Sequence, residues 1–126
     1  MKKYLFYFST LSFCFSILSC SNPIDEKMLV GSWTAIEFLE NGSPKEVDLK
    51  AINFSFYTDN TYTFQGLMNK EAGNYYLKRS LLYSTDTISN QRIEKSVKII
   101  KSTPDSLFFE MNNGGIPQII KLLKTQ

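Results

Sequence analysis

From Leu29 onward, apolar and polar residues alternate in short bursts separated by turn residues. Ala51 to Tyr57 is the cleanest case, with Ile52, Phe54 and Phe56 on one face and Asn53, Ser55 and Tyr57 on the other. A period of two places successive side chains on opposite faces of a strand. Thr58-Asp59-Asn60-Thr61 predicts a tight hairpin, after which Tyr62 and Phe64 resume the inner face and Gly66 ends the strand. Before this unit, Gly31 to Glu40 is rich in aromatic and branched residues and stops at Asn41-Gly42-Ser43-Pro44, a strong turn signal. After it, Gly73 to Lys78 predicts a strand that bends at Arg79-Ser80 into Leu81-Leu82-Tyr83, and Thr85 to Asn90 predicts a polar loop. Arg92 to Lys101 predicts a long strand with Ile93, Val97 and Ile99 inward. Pro104-Asp105-Ser106 turns the chain, Leu107, Phe109 and Met111 face in, and Phe108 and Glu110 face out. Asn112-Asn113-Gly114-Gly115 predicts another hairpin, and Ile119 to Lys124 closes the series.

About eight short strands joined by turns predict an all-β sandwich or barrel. Hairpins in sequence favour an antiparallel up-and-down β-barrel, because closure removes the exposed strand edges that invite aggregation. Helical periodicity is lacking over this stretch, and only Ile24 to Val30 allows a single helical turn.

The N-terminus follows a different pattern. Lys2 and Lys3 precede an apolar stretch from Tyr4 to Leu18, and the first acidic residue is Asp25. A basic start and an apolar run of about 15 residues predict a secretory signal. A bilayer-spanning helix wants roughly 20 apolar residues. Ile17-Leu18-Ser19-Cys20 resembles the lipobox of bacterial lipoproteins, in which an aliphatic, a variable and a small residue precede an obligatory cysteine. The resemblance implies that Cys20 becomes the first mature residue and carries lipid; the other reading is an ordinary cut near Ser19 or Ser21, with Cys20 a bystander. The expected organisation is a signal peptide over 1–19, a lipidated tether over 20–28 and one domain over 29–126. Ser21, rather than aspartate, follows the cysteine, so the outer membrane is the expected address, with the domain facing the periplasm or the cell surface.

Composition narrows this further. The two cysteines are Cys14 and Cys20, so a lipidated mature domain has no disulfide and holds itself together by its core. Removing Lys2 and Lys3 leaves twelve basic and twelve acidic side chains. A balanced charge lacks the clustered basic face that nucleic-acid binding requires. The expected partners are the membrane, through the anchor, and a small apolar ligand; the domain is expected to be a monomer.

Leu29-Val30-Gly31-Ser32-Trp33 carries a second resemblance. Lipocalins and related calycin barrels begin their first strand with Gly-x-Trp after a short helical turn, and Gly31 and Trp33 match that pair. Downstream, "INFSFYTDNTYTF", "GNYYL", "TPDSLFFEM" and "IIKLLK" resemble, in this order, the small lipocalin-like domains of Bacteroidota lipoproteins. The resemblance covers Leu29 to Lys124 and implies an eight-stranded, lipocalin-like barrel. It implies that Trp33 plugs the bottom of the barrel and stacks on a basic residue near the last strand. Arginine is lacking there, so that role falls to Lys121 or Lys124.

Catalytic chemistry is thinly supplied. The chain has no histidine, which removes the commonest general base and the serine and cysteine systems built on it. Glu37, Glu40, Asp48, Asp59, Asp86, Glu94, Asp105 and Glu110 are scattered through turns and outward positions and are expected to be solvated surface charges. Neither a cofactor nor a metal is expected, and the domain is not expected to be an enzyme. The remaining candidate site is aromatic. Trp33, Phe38, Phe54, Phe56, Tyr62, Phe64, Tyr75, Phe109 and Met111 should share one inner face. An eight-stranded interior is just wide enough to be filled by side chains or to hold one small ligand. The rings therefore form either an apolar cup for a small apolar or amphipathic molecule, or the filling of an accessory protein that works through its loops.

Overall fold

The computed structural model describes residues 24–126. Its elements are a one-turn helix α1 (Glu26–Leu29) and strands β1 (Gly31–Glu40), β2 (Ser43–Pro44), β3 (Asn53–Phe56), β4 (Thr61–Gln65), β5 (Lys70–Lys78), β6 (Leu81–Asp86), β7 (Glu94–Ser102), β8 (Ser106–Asn113) and β9 (Ile116–Lys124), with a 3₁₀ turn over Leu49–Ala51. Every neighbouring pair is antiparallel, and β1 pairs with β9 from Trp33↔Lys124 to Glu40↔Gln118. That pairing closes eight strands into an up-and-down barrel. The two-residue β2 is a flap on the upper half of β1 and carries Pro44 on its free edge, where a missing N–H costs no ladder bond.

Turn chemistry sets the register. Asn41 and Gly42 both adopt positive φ (52° and 78°), as do Gly114 and Gly115 (59° and 91°). Two central residues at positive φ form the tight hairpin turn whose twist matches the flanking strands. Asp59 caps the β3–β4 turn by accepting from the Thr61 backbone N–H (3.1 Å). The Thr61 hydroxyl, and then that backbone contact, hold the Asp59 carboxyl below its ordinary pKa.

Two bulges decide which side chains enter the barrel. Strict alternation from Trp33 and Ala35 would turn Phe38 outward. An extra residue, Ile36, interrupts the β1–β9 register between Ala35 and Glu37, so Phe38 and Glu40 swing inward opposite Ile120 and Gln118. Ile100 plays the same part in β7, between Ile99 and Lys101. Ile93 departs from its expected inward place. The strand begins at Glu94, two residues later than expected, and Ile93 is 54% exposed in the preceding loop. Likewise β6 runs on to Asp86, shortening the polar loop expected from Thr85.

One end of the barrel is sealed. Trp33 and Leu29 are fully buried, and the Trp33 indole N–H donates to the Leu29 carbonyl at 2.8 Å. Lys124 sets its ammonium 5.4 Å from the Trp33 ring centroid. Of the two lysines expected to stack here, Lys124 does so, whereas Lys121 lies on the outer wall, paired with Glu37 (3.0 Å) and over Phe108. The last residues clasp the same end, where the Ser32 N–H donates to the Gln126 carbonyl at 2.9 Å and the Thr125 N–H to Ser32 at 2.8 Å. Gly31 is required beneath this clasp, since its φ is +135° and an added Cβ would meet the Gln126 carbonyl at 2.5 Å. The tether expected over 20–28 is fastened in its second half. Ile24 packs against the core, Asp25 caps α1 by accepting from the Lys27 N–H, and Leu29 is core. Cys20 and the segment 1–19 lie outside the described residues.

Candidate functional site

The core is a cluster of rings on facing strands. Phe54 on β3 packs on Phe64 of β4 with centroids 4.5 Å apart, and edge-on against Phe109 of β8 at 5.5 Å. Phe56 meets Tyr75 of β5 edge-on at 5.1 Å. Such edge-on pairs add about 0.5–1.5 kcal/mol each beyond their area burial. The rings do not fill the interior. They leave a cavity of about 210 Å³ in the half of the barrel away from Trp33, walled by Phe54, Phe56, Tyr62, Phe64, Phe109 and Met111, together with Leu82, Val97 and Ile120.

Six of the nine residues expected to line a cup therefore do line it. Trp33, Phe38 and Tyr75 do not. Trp33 is used up in closing the opposite end. Tyr75 is wedged below Phe56, its hydroxyl donating to the Tyr57 carbonyl at 3.1 Å. Phe38 packs at the margin of the core beneath the Lys45 ammonium, 5.6 Å from its ring centroid.

Four polar residues also line the cavity, and sequence reasoning missed all of them: Asn69, Glu71, Ser84 and Lys95. Glu71 is the centre of the group. Its side chain is 12% exposed; Oε1 accepts from the Lys95 ammonium, and Oε2 accepts from the Tyr62 hydroxyl at 3.2 Å. Lys95, 57% exposed, brings the cluster to the solvent. The signal for Glu71 was available in its parity, since it is two and four residues from Gly73 and Tyr75 on the inward side of β5. At the same end, Glu40 is drawn inward by the β1 bulge. It accepts from the amide of buried Gln118 (2.8 Å) and from Lys45 (3.1 Å), and these contacts hold its carboxyl below the usual range. Glu40 is thus not the freely solvated charge expected of it. Every buried side-chain polar atom among the described residues has a partner.

Burial, and then the nearby Glu71 charge, pushes the Tyr62 phenol up to about 12; Ser84 pulls the other way. Tyr75 is raised for the same leading reason. Between the ordinary tyrosine value near 10 and about 12, the unfolded chain loses a proton that the folded chain keeps at Tyr62. Stability is therefore intact below pH ~10 and falls as pH climbs toward ~12. Tyr62→Phe should flatten that decline in urea titrations across this range; an unchanged slope would show that Tyr62 is not its source.

Among the described residues, no group of three or more acidic, histidine or cysteine side chains is placed to hold a metal. No helix there is long and apolar enough to cross a membrane. The arrangement defines a class: a closed, lipocalin-like barrel, sealed at one end and holding an apolar cavity with a charged, neutralised rim.

Known structures agree on the fold. The chain superposes on a lipocalin-like protein from Bacteroides uniformis ATCC 8492 with a TM-score of 0.61 at 16% identity, covering 77% of this chain and 98% of that one. It superposes on an uncharacterized protein from Bacteroides eggerthii DSM 20697 with a TM-score of 0.57 at 17% identity, covering 76% and 98% respectively. No family model and no curated protein matches the sequence. At this level of identity the likeness establishes the barrel and leaves the ligand to the cavity itself.

Proposed function

We propose that this protein is an exported, lipid-anchored, non-catalytic binding protein that holds one small apolar or amphipathic molecule in its barrel. The observation that carries the reading is the 210 Å³ cavity, open at the Glu71–Lys95 rim and lined by Phe54, Phe56, Phe64, Phe109 and Met111. A cavity of about 150 Å³ with apolar walls is known to take up benzene. This one has room for a ring with a substituent, below the roughly 300 Å³ at which drug-sized pockets begin. Native mass spectrometry of protein extracted from its own membranes tests the reading. A co-purified small molecule supports it, and a bare polypeptide mass under gentle extraction counts against it.

The anchor belongs to the same proposal. Cys20 follows a lipobox-like run, and Ser21 after it favours the outer membrane. Cys20→Ser should abolish palmitate labelling and shift the protein from the membrane pellet to the soluble or precursor fraction. Persistent labelling of the variant would refute the anchor while leaving the barrel untouched.

A second reading, an envelope-accessory protein that works through its loops, is favoured by one feature. Met68 is 99% exposed and Ile88 is 65% exposed, on neighbouring β4–β5 and β6–β7 loops at the unsealed end. Charge substitution of both should disrupt a partner contact but leave ligand co-purification unchanged if this reading holds.

A further inference from the structure

We infer that the cavity selects an uncharged ring bearing a hydroxyl group, such as a phenol or a small cyclic alcohol, seated with its oxygen between Glu71 and Lys95. This rests on the binding reading above and names the ligand's chemistry. Glu71 and Lys95 form a closed ion pair on the cavity wall, so the rim already carries one negative and one positive charge. Both partners keep unused capacity. A carboxylate offers about four lone-pair sites and an ammonium three N–H donors. Glu71 spends two sites, on Lys95 and Tyr62, and Lys95 spends one donor on Glu71.

A hydroxyl is the smallest group that uses both remainders together, donating to the carboxylate and accepting from the ammonium without opening the pair. A ligand carboxylate could use only Lys95 and would sit against Glu71. A ligand ammonium could use only Glu71 and would compete with Lys95. Either would leave one net charge without a partner beside an apolar interior, where an unpaired charge is expensive. A purely apolar ring would fit the walls and leave the rim unread. Below the rim, Phe54, Phe64, Phe109 and Met111 supply flat and adaptable apolar contact for the ring.

The test uses the purified full chain and four probes that share one methylated ring: p-cresol, toluene, p-toluate and 4-methylbenzylamine. Binding is read from the methyl resonances of Met111 and Ile120, both on the cavity wall, at matched free probe concentration. p-Cresol should bind at least about tenfold tighter than each of the other three, a difference of about 1.4 kcal/mol. Lys95→Gln frees Glu71 and should raise 4-methylbenzylamine at least about tenfold relative to p-cresol. Glu71→Gln should do the same for p-toluate. Lys95 is exposed, so its variant keeps the test alive should the Glu71 variant fold poorly. Equal binding of toluene and p-cresol, or an unchanged order in Lys95→Gln, overturns the inference and leaves the cavity reading standing. Resonances that no probe shifts at millimolar concentration overturn both.

Discussion

Trp33→Ala is expected to lower the free energy of unfolding by about 3–5 kcal/mol, the range for deleting a large buried ring. Three losses fall on one spot. The indole is fully buried, its N–H is the partner of the Leu29 carbonyl, and its face receives Lys124. Deletion opens a cavity at the sealed end, orphans a buried carbonyl and frees α1 from the wall. For a domain near 100 residues, each 1 kcal/mol moves the melting midpoint about 4–8 °C, so a drop of at least about 12 °C should follow. Since Trp33 is the single tryptophan, the variant must be followed by circular dichroism. Trp33→Phe, which keeps a ring and loses the N–H donor, should sit between the two. A loss below about 1 kcal/mol for Trp33→Ala would mean that this end is not sealed as described.

Gly73→Ala should cost about 3 kcal/mol, at the upper end of what overpacking costs. Gly73 sits on β5, pairing with Tyr62 on one side and Asp86 on the other. A Cβ there would lie 1.8 Å from the Thr85 carbonyl oxygen, a backbone atom that no side-chain rotation can move aside. The β6 backbone approaches Gly73 so closely that only a residue without a side chain allows it. Gly42→Ala is the control, because nothing lies within 4 Å and the only strain is its φ of +78°. That substitution should cost about 1–2 kcal/mol. Hydrogen exchange separates the two mechanisms. Gly73→Ala should speed exchange across β5 and β6 and disturb the adjoining Tyr62, whereas Gly42→Ala should act only at the β1–β2 turn. Near-equal losses would remove the steric argument.

Alternation made most of the inner wall legible beforehand. Ile52, Phe54, Phe56, Tyr62, Phe64, Leu107, Phe109 and Met111 all face inward as their spacing predicts, because a strand's period of two is a property of the local backbone. The turns were equally readable, since Asn-Gly and Gly-Gly answer a local demand for positive φ. Errors arose where local rules run out. Ile93 was lost to a strand start two residues late, at Glu94 rather than Arg92. The inward turn of Glu40 depends on a bulge at Ile36 that strict period-two counting would not place. The Glu71–Lys95 pair joins residues 24 positions apart, on strands separated by β6.

What the amino-acid order alone determined, then, is the all-β wall, its turns and the apolar inner stripe, each the outcome of interactions between near neighbours along the chain. Only the closed tertiary structure decided that Lys124 rather than Lys121 meets Trp33 at the sealed end, that five rings and one sulfur of the expected set surround a cavity while three other rings do not, and that a carboxylate, an ammonium and a phenol meet at its rim. The physical reason is register. Closing β1 onto β9 sets the stagger of every strand at once, and that stagger alone selects which inward residues, distant in sequence, share one level of the barrel.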